Sequence, residues 1–140
     1  MNDPVAEAVL GSRAEAIIAA DRHGNITFWN PGAERVFGYA AAGAMGQSLD
    51  LIIPERLRQR HWDGYNQVIS SGRSRYGEAD VLSVPALRRD GSTISIEFTI
   101  VPLKDAQQRV TGMVAIIRDV TKRFAELREL KKKLAEAQRT

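Results

Sequence analysis

The rhythm of apolar and polar positions changes several times along the chain, and each change marks an element. Asp3-Pro4 joins an N-cap carboxylate to a proline at the first helical position. A short helix carrying Val5, Val9 and Leu10 is therefore predicted, ended by Gly11. Residues 16–20 are an unbroken apolar run of strand length. The polar stretch Asp21 to Asn25 has turn chemistry, and residues 26–29 complete a hairpin. Asn30-Pro31 repeats the cap-and-proline signal for a helix through Val36 and Phe37, stopped by Gly38. Between residues 39 and 53, Gly43, Gly46 and Ser48 allow only short helical turns. From Pro54 to about Ser71 the pattern predicts the longest helix of the body, with Gly72 as its stop.

Three strands are expected after it. The first covers residues 75–87, and Pro85, which has no amide hydrogen, places it at a sheet edge or marks its end. Asp90-Gly91 is a hairpin turn. Residues 94–100 alternate strictly, so Ile94, Ile96, Phe98 and Ile100 share one face. A polar turn at 105–109 leads into residues 110–120, which are apolar on both faces and so belong at the centre of a sheet. This order predicts an α+β domain: a five-stranded antiparallel sheet with helices on one face. Residues 121–140 lack Gly and Pro and form a last helix. Leu127, Leu130, Leu134 and Ala137 follow the 3-4-3 spacing of a coiled coil, Val120 extends it, and Phe124 adds a second apolar edge. About two and a half heptads are marginal alone, so a homodimer is expected, helped by the first helix through Val5, Val9 and Leu10. The pattern breaks off at Thr140, as in a piece of a longer chain.

Composition narrows the function classes. The net charge is +3, but residues 122–140 hold seven Lys/Arg against three Glu, leaving the body at thirteen basic against fourteen acidic. The body has no basic face for nucleic acid. With no cysteine, disulfides, thiolate zinc sites and cysteine nucleophiles are excluded. No apolar run approaches the roughly 20 residues that span a bilayer, and the first residues lack signal-peptide character, so a cytoplasmic location is expected. Only two histidines are present, His23 in a turn and His61 on the long helix, and no nucleophile–histidine–acid grouping or phosphate loop accompanies them. The chain is not expected to be an enzyme.

His61 is the residue with chemistry. At about 100° per residue, it lies within roughly 80° of Leu57, Gly64, Tyr65 and Val68, with Trp62 and Ile69 at the margin of that stripe. Gln59, Arg60, Asp63, Asn66, Gln67 and Ser70 take the other side. A buried imidazole needs partners for both nitrogens. Two states are open on this reading: a neutral axial ligand of haem iron, or a hydrogen-bonded histidine in a cofactor-free core.

Four stretches, in order, resemble the PAS domain family. They are Asp21-x-x-Gly24-x-Ile26-x-x-x-Asn30-x-x-Ala33-Glu34-x-x-Phe37-Gly38-Tyr39; Gly46-Gln47-Ser48 with Ile52-Ile53-Pro54; Arg89-Asp90-Gly91-Ser92 before Ile96-Glu97-Phe98; and Arg118-Asp119-Val120-Thr121. The resemblance covers roughly residues 14–123 and implies a sensory module that relays its state to an output domain in the same chain, such as a histidine kinase or cyclase. It implies a cap helix at 1–13, a PAS domain at 14–120 and a signalling helix at 121–140. Asp119 and Thr121, where sheet meets output helix, become candidate transmission residues, and Val9, Phe124, Leu127, Leu130 and Leu134 a candidate dimer interface.

Arg58-x-x-His61, with Gly72 eleven residues on, is similar to the proximal-histidine helix of haem-PAS oxygen-sensor kinases. That likeness implies haem b on His61 between this helix and the sheet, and a diatomic gas as partner. Leu57, Tyr65, Val68, Phe98 and Ile100 would line it, and Arg75 would pair with a propionate. The chain departs from that subfamily at Val81, which stands where its distal arginine falls, and at Gln67, where it has a basic residue. The lack of cysteine removes the flavin-adduct and thioester-chromophore subfamilies. Non-covalent flavin, stacked on Trp29 or Trp62, and a cofactor-free dimerisation module are the alternatives.

Overall fold

Local signals place the helices and tertiary pairing places the strands. A computed structural model describes residues 3–72 and 81–139. Its elements are α1 (Pro4–Leu10), β1 (Ala16–Asp21), β2 (Ile26–Trp29), α2 (Pro31–Phe37), α3 (Ala41–Ala44), 3-10 turns at Leu49–Ile52 and Glu55–Leu57, α4 (Arg58–Ser71), β3 (Leu82–Leu87), β4 (Thr93–Lys104), β5 (Val110–Asp119) and α5 (Thr121–Gln138). Asp3 caps α1 by accepting from the Val5 amide at 2.9 Å, as its position before a proline predicts. Asn30 does more than cap α2. Its Oδ1 accepts from the amides of Ala33 and Ile17, both at 2.8 Å, and its Nδ2 donates to the carbonyls of Ser12 and Glu15. Every bond it needs is made, which is what allows an amide to be only 1% exposed.

The sheet order is β2-β1-β5-β4-β3, with every neighbouring pair antiparallel. β5 is central, as its apolar character on both faces predicts, and β3, which carries Pro85, is an edge strand. Across the helix-bearing face, Ile18 and Ile100 flank Ala115, while Ala16 and Phe98 flank Ile117. Ile94 and Ile96 continue that face into a core with Val36 and Phe37 of α2. Burying a side chain the size of Phe37, 0% exposed, contributes roughly 1.5–3 kcal/mol. A second, smaller cluster joins α4 to the sheet: Tyr65 and Val68 against Ala20 and Met113, with Ile100, Trp62 and Ile69 at its margin.

Two boundaries differ from expectation. The long helix begins at Arg58 instead of Pro54, because residues 55–57 form a tight 3-10 turn whose end, Leu57, has ψ near −3°. β4 runs past Ile100 to Lys104, because Val101 to Lys104 find partners on β5 between Val114 and Val110. Of the expected strand at 75–87, residues 75–80 lie outside the described residues, and the described part pairs from Leu82.

Candidate functional site

α4 presents the face that its periodicity predicts. Tyr65 and Val68 are buried, Leu57, His61, Trp62, Gly64 and Ile69 are half-buried, and Gln59, Arg60, Asp63, Asn66, Gln67 and Ser70 are exposed. The imidazole of His61 lies against two aromatic rings, Trp62 at 4.6 Å and Tyr65 at 5.7 Å between centroids. Its Nδ1 is buried and has no hydrogen-bond partner among the described residues. Burial pushes the His61 pKa down to about 4, partly opposed by the negative charge of Asp50, so the ring is neutral at neutral pH. Beside it, the Tyr65 hydroxyl donates to the Asp21 carbonyl. Burial and the Asp21 charge push that phenol up to about 12. His23 is exposed in the first hairpin turn, as its polar neighbours predict.

Neighbouring side chains hold this end of α4 in place. The indole N–H of Trp62 donates to Asp50 Oδ1 at 2.8 Å, and its ring lies directly over Gly24. A Cβ at Gly24 would come within 2.1 Å of that ring, and its φ of +80° also favours glycine. Arg58 donates from Nε to the Ile53 carbonyl at 3.1 Å and from Nη2 to the Asp50 carbonyl at 3.3 Å. It thus ties the first 3-10 turn to the start of the helix.

The donor chemistry fits a haem iron: a neutral imidazole with an unengaged ring nitrogen, in an aromatic and apolar enclosure. Phe98 and Ile100 lie on the helix-bearing face of β4. Of these two, only Ile100 touches the α4 cluster, whereas Phe98 packs in the larger core. Val81 is 58% exposed just ahead of β3, and Arg75 lies outside the described residues. Tyr65 and Val68 already meet Met113 and Ile100, so a planar ligand on this face would have to part α4 from β4 and β5. Among the described residues no group of three or more His, Cys, Asp or Glu is placed to hold a metal ion.

The junction between sheet and last helix is a chain of hydrogen bonds. Asp119 Oδ1 accepts from the Thr121 amide at 3.0 Å and from its hydroxyl at 2.6 Å. Thr121 Oγ1 in turn accepts from the Ser95 amide at 2.9 Å, and the Val120 amide donates to the Ser95 carbonyl at 2.8 Å. Val120 is the N-cap residue, without a side-chain bond, and the Asp119–Thr121 pair straps α5 to β4. Ion pairs add to the strap: Arg123 with Glu97 of β4, and Arg118 with Glu15 ahead of β1 at 2.6 Å. Ser95, Glu97 and Glu15 escape the sequence reading, because strand register alone brings them to the junction. Beyond this point Phe124, Leu127, Leu130 and Leu134 are exposed, like Val9 of α1. No described helix is long and apolar enough to cross a membrane.

Comparison with known proteins agrees with this architecture. The chain is similar to sensor protein FixL of Bradyrhizobium diazoefficiens, at 29% identity over 137 residues that make up 94% of this chain and 26% of that protein. It is also similar to oxygen sensor protein DosP of Escherichia coli, at 25% identity over 109 residues, 78% of this chain and 13% of that one. The chain therefore spans only about a quarter or an eighth of these relatives' lengths. A PAS domain structure from Colwellia psychrerythraea superposes with a TM-score of 0.72 at 24% identity, over 84% of this chain and 95% of that one, a likeness of fold. The family model described as PAS fold matches residues 10–125, from the end of α1 through the five strands to the first turn of α5, and the chain belongs to that family.

Proposed function

We propose that this chain is the sensory input module of a longer signalling protein, in which His61 would hold haem b and α5 would be the dimeric relay to an output domain such as a histidine kinase or cyclase. The observation that carries the proposal is the buried, partnerless Nδ1 of a neutral imidazole on the inner face of α4. A buried polar atom without a partner is uncommon and calls for one. The similarity to FixL and DosP supports the same reading. Haem, when bound, would supply an iron able to take a diatomic gas.

The chain's own residues account for the rest. Burial keeps the imidazole unprotonated and so able to donate a lone pair. Tyr65, Val68 and Ile100 exclude water from the site. Ile100 belongs to β4, the strand whose Ser95 and Glu97 hold the start of α5, so displacement of α4 from β4 reaches the helix through one strand. A ligand drives such a change only as far as it binds the two arrangements unequally.

The purified protein, expressed with adequate haem supply, is expected to show a Soret absorption band that is lost in His61→Ala. A colourless wild-type protein that binds no added haem would refute the haem reading and leave non-covalent flavin or a cofactor-free dimerisation module.

A further inference from the structure

A second site lies away from α4's inner face. An open cleft of about 450 Å³ separates the Ser48–Leu51 turn from the hairpin that joins β3 to β4. Three arginines line it, Arg58, Arg88 and Arg89, against one acidic residue, Asp50. The Asp50 carboxylate is already engaged, since it accepts from the Trp62 indole at 2.8 Å and stands 3.9 Å from Arg58 Nε. Asp90 lines a neighbouring depression instead, where its carboxylate accepts from the amide and hydroxyl of Ser92. The cleft therefore carries a surplus of positive charge.

Arg88 is the telling residue. Its Nε is buried and donates to nothing among the described residues. A shielded guanidinium N–H left unpaired is costly, so an acceptor that turns this side chain toward the cleft is favoured. The fork of Nε and Nη matches the two oxygens of a carboxylate in one plane. Nearby, Ser48 Oγ accepts from the Asp50 amide at 3.1 Å, which leaves its hydroxyl proton uncommitted. Tyr39, Leu51 and Leu87 supply an apolar wall. We propose that this cleft binds a small organic carboxylate that turns the Arg88 guanidinium toward it, its carboxylate on that guanidinium and its apolar body against Tyr39 and Leu51.

The position gives such binding a route to output. Arg88 and Arg89 begin the turn from which β4 departs, and seven residues after Arg88 comes Ser95, the anchor of Thr121 and Val120. A ligand that orders this hairpin acts on the strap that holds α5. The inference does not rest on haem at His61, because His61 is absent from the cleft lining.

Thermal unfolding in sodium succinate or sodium benzoate, against sodium chloride of equal ionic strength, tests the site. At least one carboxylate is expected to raise the melting temperature of the wild type and, equally, of His61→Ala. In Arg88→Gln the apparent Kd should weaken roughly tenfold or more, as expected for losing a charge-assisted hydrogen bond. Arg88→Lys should also bind weakly, since it keeps the charge but not the fork. Circular dichroism of both variants verifies their folding. The proposal is overturned if neither carboxylate stabilises the protein beyond chloride, if a folded Arg88→Gln binds as well as wild type, if His61→Ala loses the effect, or if inorganic phosphate binds as tightly as the carboxylates.

Discussion

At the scale of single residues, the neutral state of His61 has a consequence for stability. Its pKa falls from 6.5 in an unfolded chain to about 4 in the fold, so between these values the unfolded chain takes up a proton that the folded chain refuses. Stability from this residue is whole above pH 6.5 and is lost progressively as pH falls toward 4, by about 3 kcal/mol in all. Urea unfolding from pH 7 to pH 4 should show that loss in wild type, and His61→Phe should flatten it. An equal slope in the variant would assign the acid sensitivity to other groups. That His61 faces inward could be read from helical periodicity. Its lack of a partner could not, because whether Nδ1 is buried and meets an acceptor depends on how the helix docks on the rest of the fold.

Among the elements, α5 is the one with the least support from the body. None of its residues is buried, and its first turn is held by Thr121, Val120 and Arg123 against β4. Removing the Thr121 hydroxyl leaves the half-buried Ser95 amide without an acceptor. Thr121→Val is therefore expected to destabilise the protein by about 1–3 kcal/mol in urea unfolding. Amide exchange in the first turn of α5 should also accelerate relative to β5. Unchanged exchange would mean that the ion pairs alone hold the junction. The same element shows the limit of sequence reading. Arg118-Asp119-Val120-Thr121 announces a boundary, yet its anchor, Ser95, sits 26 residues upstream in an alternating strand where nothing distinguishes it from Thr99.

For the whole molecule, two exposed apolar stripes remain to be covered. Leu127, Leu130 and Leu134 are 50%, 63% and 60% exposed on α5, and Val9 of α1 is 54% exposed. An 18-residue helix with no buried residue is marginal in water, so a second copy of the chain is the expected cover. Sedimentation equilibrium should find a dimer for wild type and a monomer for Leu127→Asp/Leu130→Asp, with the body's unfolding midpoint little changed. A monomeric wild type would overturn this pairing.

Helix ends, turns and the inward stripe of α4 follow from the sequence by itself, because caps, prolines, glycines and periodicity act over a few residues. The same short-range signals place β5 at the sheet centre and Pro85 at its edge, where a missing amide hydrogen does no harm. Only the tertiary structure decides which side chains meet: Trp62 over Gly24, Ser95 under Thr121, and an arginine at 88 whose Nε finds no acceptor among the described residues. Such meetings depend on strand register and on the approach of distant turns, and the free energy that selects them is spread over the whole core.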